Sequence, residues 1–196
     1  MPELRRSPLA GLERPADRDA GVTLEDRPFL GKISLRGDPN DTAFAAAAAA
    51  VLGAELPGAV GQAASGDGPV ILCLGPDEWL VVTAPGQAAP VTAALGDALA
   101  DLDAAVIDVS SGWAALRLAG PRARDLLVKG CPIDLESPAF GPGRCAETRI
   151  GAIHAIIHQV AADPVYDLYV GRSLGRAAWE WLVDAGSEFG VRQRRP

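Results

Sequence analysis

The apolar and polar positions of this chain follow a plan that appears twice. The run FLGKISLRG, ending at Gly37, alternates with the period of a half-buried strand. The next stretch, DPNDTAFAAAAAAVLG, offers Asp38 as helix N-cap, Pro39 as first helical residue and Gly53 just past the end. A glycine-rich loop from Gly58 to Pro69 leads to VILCL and WLVVT, β-branched runs that flank Gly75-Pro76-Asp77-Glu78 and predict a hairpin. AAPVTAALGDALADL then reads as a helix weakened by Gly96.

The second half repeats these steps. AALRLAG predicts a strand, and PRARDLLVK a helix closed by Gly130. After a proline-rich loop, AIHAIIHQV and YDLYV flank the turn Ala161 to Pro164, and SLGRAAWEWLVDA follows as a helix. Its natural N-cap is Ser173, and Leu174, Ala178, Trp181, Leu182 and Ala185 give it an apolar stripe. Gly37 and Gly120, which end the two first strands, lie almost as far apart as Trp79 and Asp167 in the two hairpins, so the chain reads as a diverged internal duplication.

The expectation is an α+β fold of two related strand-helix-hairpin-helix units, residues 29–105 and 106–186, with mostly antiparallel sheets carrying helices on one face. Residues 1–28 show no period and predict an extended arm held by a neighbouring chain. Residues 187–196, which end in VRQRRP, predict a frayed or partner-held tail.

Composition narrows the function. With 196 residues, a formal charge of −7 and a pI near 4.8, the chain is a poor binder of phosphate backbones, so no nucleic-acid partner is expected. The run AFAAAAAAVLG is far shorter than the ~20 residues that span a bilayer, and MPELRRSPLAGL lacks the apolar segment of a secretion signal. A cytoplasmic protein without a membrane partner is the expectation. Cys73, Cys131 and Cys145 are widely spaced and odd in number, which suits packed, reduced thiols.

Candidate chemistry is sparse. Neither GPGRC at Gly141 nor Gly31-Lys32 completes a phosphate-binding loop. His154 and His158 are spaced for metal chelation on a helix, but their Ile-rich setting predicts a strand, where they sit two pleats apart as half-buried sheet residues. Ser110-Ser111-Gly112 lacks the flanks of a nucleophile elbow, and Asp108 suits turn bonding better than catalysis. Cys131 follows a helix end, with nothing to lower its pKa. No catalytic, cofactor-binding or metal-binding residue is therefore expected in this chain. Arg122, Arg124, Lys129 and Arg144 remain as a solvated face or as interface candidates for an acidic partner surface.

DVSSGWAALRLAGPRARDLLVKGCPIDL, FGPGRCAETRIGAIHAIIHQV and YDLYVGRSLGRAAWEWLVDA together resemble the γ subunits of heterotetrameric bacterial sarcosine oxidases. The most specific part runs from Gly120-Pro121-Arg122-Ala123-Arg124 through Lys129-Gly130-Cys131-Pro132 to Asp134-Leu135. The plan more distantly resembles the folate-binding domain of glycine-cleavage aminomethyltransferase, whose Asp-Leu-Ser, Gly-Pro-Asp-Ala and Pro-Gly-Arg segments have counterparts at Asp108-Val109-Ser110, Gly120 to Ala123 and Pro142-Gly143-Arg144.

The resemblance implies a cofactor-free chain with α, β and δ partners, α being the main contact. FAD, FMN, NAD, tetrahydrofolate and zinc are implied for those partners. The aminomethyltransferase carries an acidic pair on the strand after its Pro-Gly-Arg loop, where this chain reads Ile153-His154-Ala155-Ile156-Ile157. The alternatives are a stand-alone folate-dependent aminomethyl or methyl transferase, and the equivalent subunit of a related N-methyl amine oxidase or dehydrogenase.

Overall fold

The computed structural model describes residues 6–12, 20–66, 68–136 and 139–194. In chain order its elements are β1 (Val22–Asp26), β2 (Gly31–Gly37), α1 (Thr42–Leu52), β3 (Ala63–Ala64), β4 (Val70–Gly75), β5 (Glu78–Thr83), α2 (Ala88–Ala98) and β6 (Ala104–Asp108). They continue with β7 (Trp113–Ala119), α3 (Ala123–Val128), β8 (Arg144–Ile150), β9 (Ile153–Ala161), β10 (Val165–Gly171), α4 (Gly175–Ala185) and β11 (Val191–Arg194). The fold is α+β, with two compact units. One comprises 29–111 and 143–146 and the other 1–28, 112–142 and 147–196. The boundary falls after Ser111 because β6 pairs with β2.

The five-stranded unit has the sheet order β3-β4-β5-β2-β6, with antiparallel pairing throughout. Alternation sends Ile33, Leu35, Ile71, Trp79 and Val81 to one face, where they pack with Phe44 and Leu52 of α1 and Leu95 of α2. Trp79 donates its indole N–H to the Pro57 carbonyl at 3.0 Å, so its only polar atom is satisfied in the core. Helix α1 starts later than the Asp-Pro signal suggests. Asp38 is consumed by a turn, accepting from Asn40 N at 2.8 Å, while the Asp41 carboxylate accepts from Ala43 N and Phe44 N and caps the helix. Gly53 closes it at φ +72°, as expected.

The six-stranded unit has the order β11-β1-β7-β10-β9-β8. Here the structure corrects the reading of residues 22–26 and 191–194, whereas residues 1–5, 13–19, 195 and 196 of the expected arm and tail lie outside the described residues. Val22–Asp26 forms β1, antiparallel to β7 and parallel to β11, and its Val22 and Leu24 are fully buried. Leu9 is also fully buried, and the Ser7 hydroxyl donates to Asp26 at 2.5 Å. These residues are held by their own chain. The reason is non-local: only the strand Val191–Arg194, from the supposed tail, supplies β1 with its second neighbour.

Three local expectations also shift. β8 occupies part of the expected proline-rich loop; it buries only Cys145 and Ile150, so its sequence shows little alternation. Helix α3 begins at Ala123 rather than Pro121. A 3-10 turn, Arg172–Leu174, precedes α4, so Ser173 is not its cap, and the buried stripe is Gly175, Ala178, Trp179 and Leu182 while Leu174 stays exposed.

The duplication is visible in the topology. Strand, helix, strand, hairpin, helix and strand follow one another from β2 to β6 and again from β7 to β11. The orders β4-β5-β2-β6 and β9-β10-β7-β1-β11 differ by the insertion of β1, which comes from outside the repeat.

Candidate functional site

Strands β1, β7, β10 and β9 lie side by side, and their register aligns Glu25 with Arg117, Arg117 with Asp167, and Asp167 with His158. All four side chains therefore share one face of the six-stranded sheet. Arg117 donates from Nε and Nη2 to Oδ1 and Oδ2 of Asp167 at 2.7 and 2.8 Å, a bidentate pair. Arg27 stands 3.7 Å from Glu25 and 3.9 Å from Asp167. The hydrogen bond to Asp167 raises the Arg117 pKa above its ordinary value. His158 is 2% exposed, and burial lowers its pKa, with Asp167 opposing and Arg117 adding to the shift. Its Nδ1 is buried without a hydrogen-bond partner among the described residues.

This arrangement is poor at proton transfer. Both Asp167 oxygens are engaged by an arginine, and burial disfavours the charged form of the His158 imidazole. It is good at fixing register, because a one-residue slip of any strand would send its charge to the opposite, apolar face. Sequence reasoning passed over Glu25, Arg27, Arg117 and Asp167. Their available signal was a lone charge inside an apolar run, as in AALRLAG and VYDLYV.

The expected interface cations separate. Arg122 pairs with Asp125 at 2.9 Å and its guanidinium lies 4.7 Å from the Phe189 ring centroid. Lys129 lies 4.5 Å from the same ring, pairs with Glu188 and donates to the Ala185 carbonyl. These two clamp the turn Ser187–Phe189 against α3. Arg124 donates to the buried Tyr166 hydroxyl and to Glu136, both at 3.4 Å. Arg144 belongs to the other unit, where it bridges Gln62 through the backbone.

The remaining candidates are inert or exposed. His154 lines a shallow, open groove with Pro132, Thr148, Arg149 and Ala152, whereas His158 is buried. Ser110 Oγ donates to Asp108 at 2.5 Å and accepts from Lys32 N at 2.9 Å, which makes it a turn residue. Burial pushes the Cys145 thiol up to about 12 and raises Cys73 as well. Cys131 Sγ lies 3.9 Å from Thr148 Oγ1. Among the described residues no three metal-ligating side chains gather, and no helix is long and apolar enough to cross a membrane. β9 carries no carboxylate over Ile153 to Ile157, so it does not fit the acidic pair of a folate-dependent aminomethyl transfer site.

Comparison with known proteins gives a consistent picture. Residues 36–188 match the family model described as sarcosine oxidase, gamma subunit family. The sarcosine oxidase subunit gamma of Corynebacterium sp. strain U-96 is 36% identical over 194 residues, covering 95% of this chain and 92% of that protein. A chain of the heterotetrameric sarcosine oxidase from Corynebacterium sp. U-96, solved in complex with pyrrole 2-carboxylate, superposes with a TM-score of 0.86 at 32% identity, covering 95% of this chain and 97% of that one. The glycine cleavage system aminomethyltransferase T of Bartonella henselae shares the fold, with a TM-score of 0.67 at 19% identity over 89% of this chain and 48% of that one.

Proposed function

Given that the chain belongs to the sarcosine oxidase gamma subunit family, we propose that it serves a heterotetrameric, flavin-dependent sarcosine oxidase as its cofactor-free γ subunit, with a structural and assembly role. The complex oxidises the N-methyl group of sarcosine to yield glycine, hydrogen peroxide and formaldehyde, or methylene-tetrahydrofolate when folate accepts the carbon. FAD, FMN, NAD and tetrahydrofolate belong to the larger subunits and zinc to the small δ chain. The α subunit is the main contact, and the assembly works in the cytoplasm.

The observation that carries this reading is similarity to gamma subunits along nearly the entire length of both chains. The side-chain chemistry supports it. The charged row is spent on internal pairing, and the strand that would face a folate's reacting carbon offers no carboxylate. A positioned acid or base supplies on the order of 10²–10⁴-fold in rate, so a folate-dependent transferase would work poorly on this scaffold.

Coexpression with the α, β and δ chains tests the reading. The chain is expected to copurify in equal amounts and to be needed for a stable, active oxidase. A stable and fully active complex assembled without it would refute the proposal, and heat of tetrahydrofolate binding by the isolated chain would favour the transferase. Arg122→Glu with Lys129→Glu tests the cations: loss of partner pull-down with the fold intact marks a docking face, whereas unchanged assembly leaves only the clamp on Phe189.

A further inference from the structure

The negative charge is not spread evenly. The five-stranded unit holds ten acidic and three basic residues, so its formal charge of −7 equals that of the whole chain and the other unit balances to zero. Between Gly37 and Leu116 there is no lysine, arginine or histidine. Of the unit's three cations, Lys32 is buried, Arg36 is paired with Asp77 and Glu78, and Arg144 lies at the start of β8.

At one edge of this unit lies β6, in the run Asp101-Leu102-Asp103-Ala104-Ala105-Val106-Ile107-Asp108. It pairs with β2 on one side, and no strand among the described residues pairs its other side. Val109 N donates to the Lys32 carbonyl at 2.9 Å. With the register that bond sets, Ser34 with Ile107 and Arg36 with Ala105 are the hydrogen-bonded pairs. The N–H and C=O of Val106 and Asp108 then point away from the sheet. Ala104 and Val106 pack on the core, while Ala105 is exposed and Ile107 is 57% exposed.

Open apolar edges invite added strands, and sheets usually blunt them. The other edges are blunted: β3 has two residues, β11 carries Arg192 and Arg194, and β8 exposes Glu147 and Arg149. β6 has no such device along its centre. In the six-stranded unit a strand from outside the repeat, β1, pairs with β7 and β11, the counterparts of β2 and β6, so these strands can take partners from elsewhere in sequence.

We propose that the outer edge of β6 is a docking strand for an extended, basic segment of a partner subunit, which adds to the five-stranded sheet as a sixth strand. Its main chain meets the open groups of Val106 and Asp108, and an apolar side chain covers Ala105 and Ile107. Flanking lysines or arginines face Asp101, Asp103 and Asp108, the complement of a unit with so large a negative excess. The inference rests on the assembly role proposed above and names its surface.

Hydrogen exchange of the wild-type chain, free and in the coexpressed heterotetramer, reads the edge directly. The Val106 and Asp108 amides are expected to exchange at least about tenfold more slowly in the complex. Ile107→Arg, and separately Asp101→Lys with Asp103→Lys, should each weaken assembly about tenfold or more, and the charge reversal should also flatten its salt dependence. A photo-crosslinker at position 107 should capture a Lys- or Arg-rich segment of another subunit. If the complex forms while both amides exchange as fast as in the free chain, the docking strand is wrong and the assembly role stands. A crosslink to a second copy of this chain also overturns it. If no complex forms with the wild-type chain, the assembly role fails and the docking strand with it.

Discussion

Arg117 and Asp167 hold each other in a bidentate grip, and neither would be tolerated alone on so sheltered a sheet face. Asp167→Ala takes the bidentate partner from Arg117, while Arg27 keeps Glu25. Because the Arg117 side chain is 28% exposed, the cost should fall below that of a fully buried pair, at about 1–3 kcal/mol in urea unfolding. Replacing Arg117 and Asp167 together by leucine should cost less than the two single changes combined. His158 adds a pH signature. Its folded pKa lies below the ordinary 6.5, so the unfolded chain binds the proton more readily, and stability should fall as pH drops from about 6.5 toward the folded value. The slope is at most about 1.4 kcal/mol per pH unit. His158→Gln should remove it in unfolding measurements between pH 7 and 5. The thiols make a third case: with burial holding Cys145 protonated up to about 12 and Cys73 raised too, both should resist a thiol reagent at pH 8 until the chain unfolds.

At the level of elements, sequence reasoning succeeded where the signal was local. The two hairpins, β4-β5 and β9-β10, were legible because β-branched runs flank a turn, α1 because its small-residue run ends at Gly53, and α4 because apolar residues recur at helical spacing. β8 was missed because it hides only its ends, and β1 because its partners lie far along the chain. The start of α1 was misplaced because two aspartates compete for one role, and geometry chose the second. Asp41→Ala should therefore cost about 1 kcal/mol of stability, with Asp38→Ala clearly cheaper, which chemical denaturation can rank. Gly130 exposes another constraint. A Cβ there would lie 2.4 Å from the Trp181 ring and 2.7 Å from Gly151 N, so Gly130→Ala should destabilise by about 1–3 kcal/mol, read from the denaturation midpoint.

For the molecule as a whole, the repeat was legible because its strands, helices and turns recur in order. The site was hardly legible at all: lone charges in Arg117, Asp167 and His158 become a row only through cross-strand register, which no single segment encodes. The division into a neutral and a strongly acidic unit was hidden too, since 143–146 leave their sequence neighbours to join 29–111. One further consequence follows from the insertion of β1 between β7 and β11. Val22 pairs with Val191, so β1 leaves the ribosome well before its parallel neighbour and waits for it. The β1-β11 pair forms only once Val191–Arg194 has been made, and chains stopped near residue 186 should be more open to protease around residues 20–28 than chains that include β11.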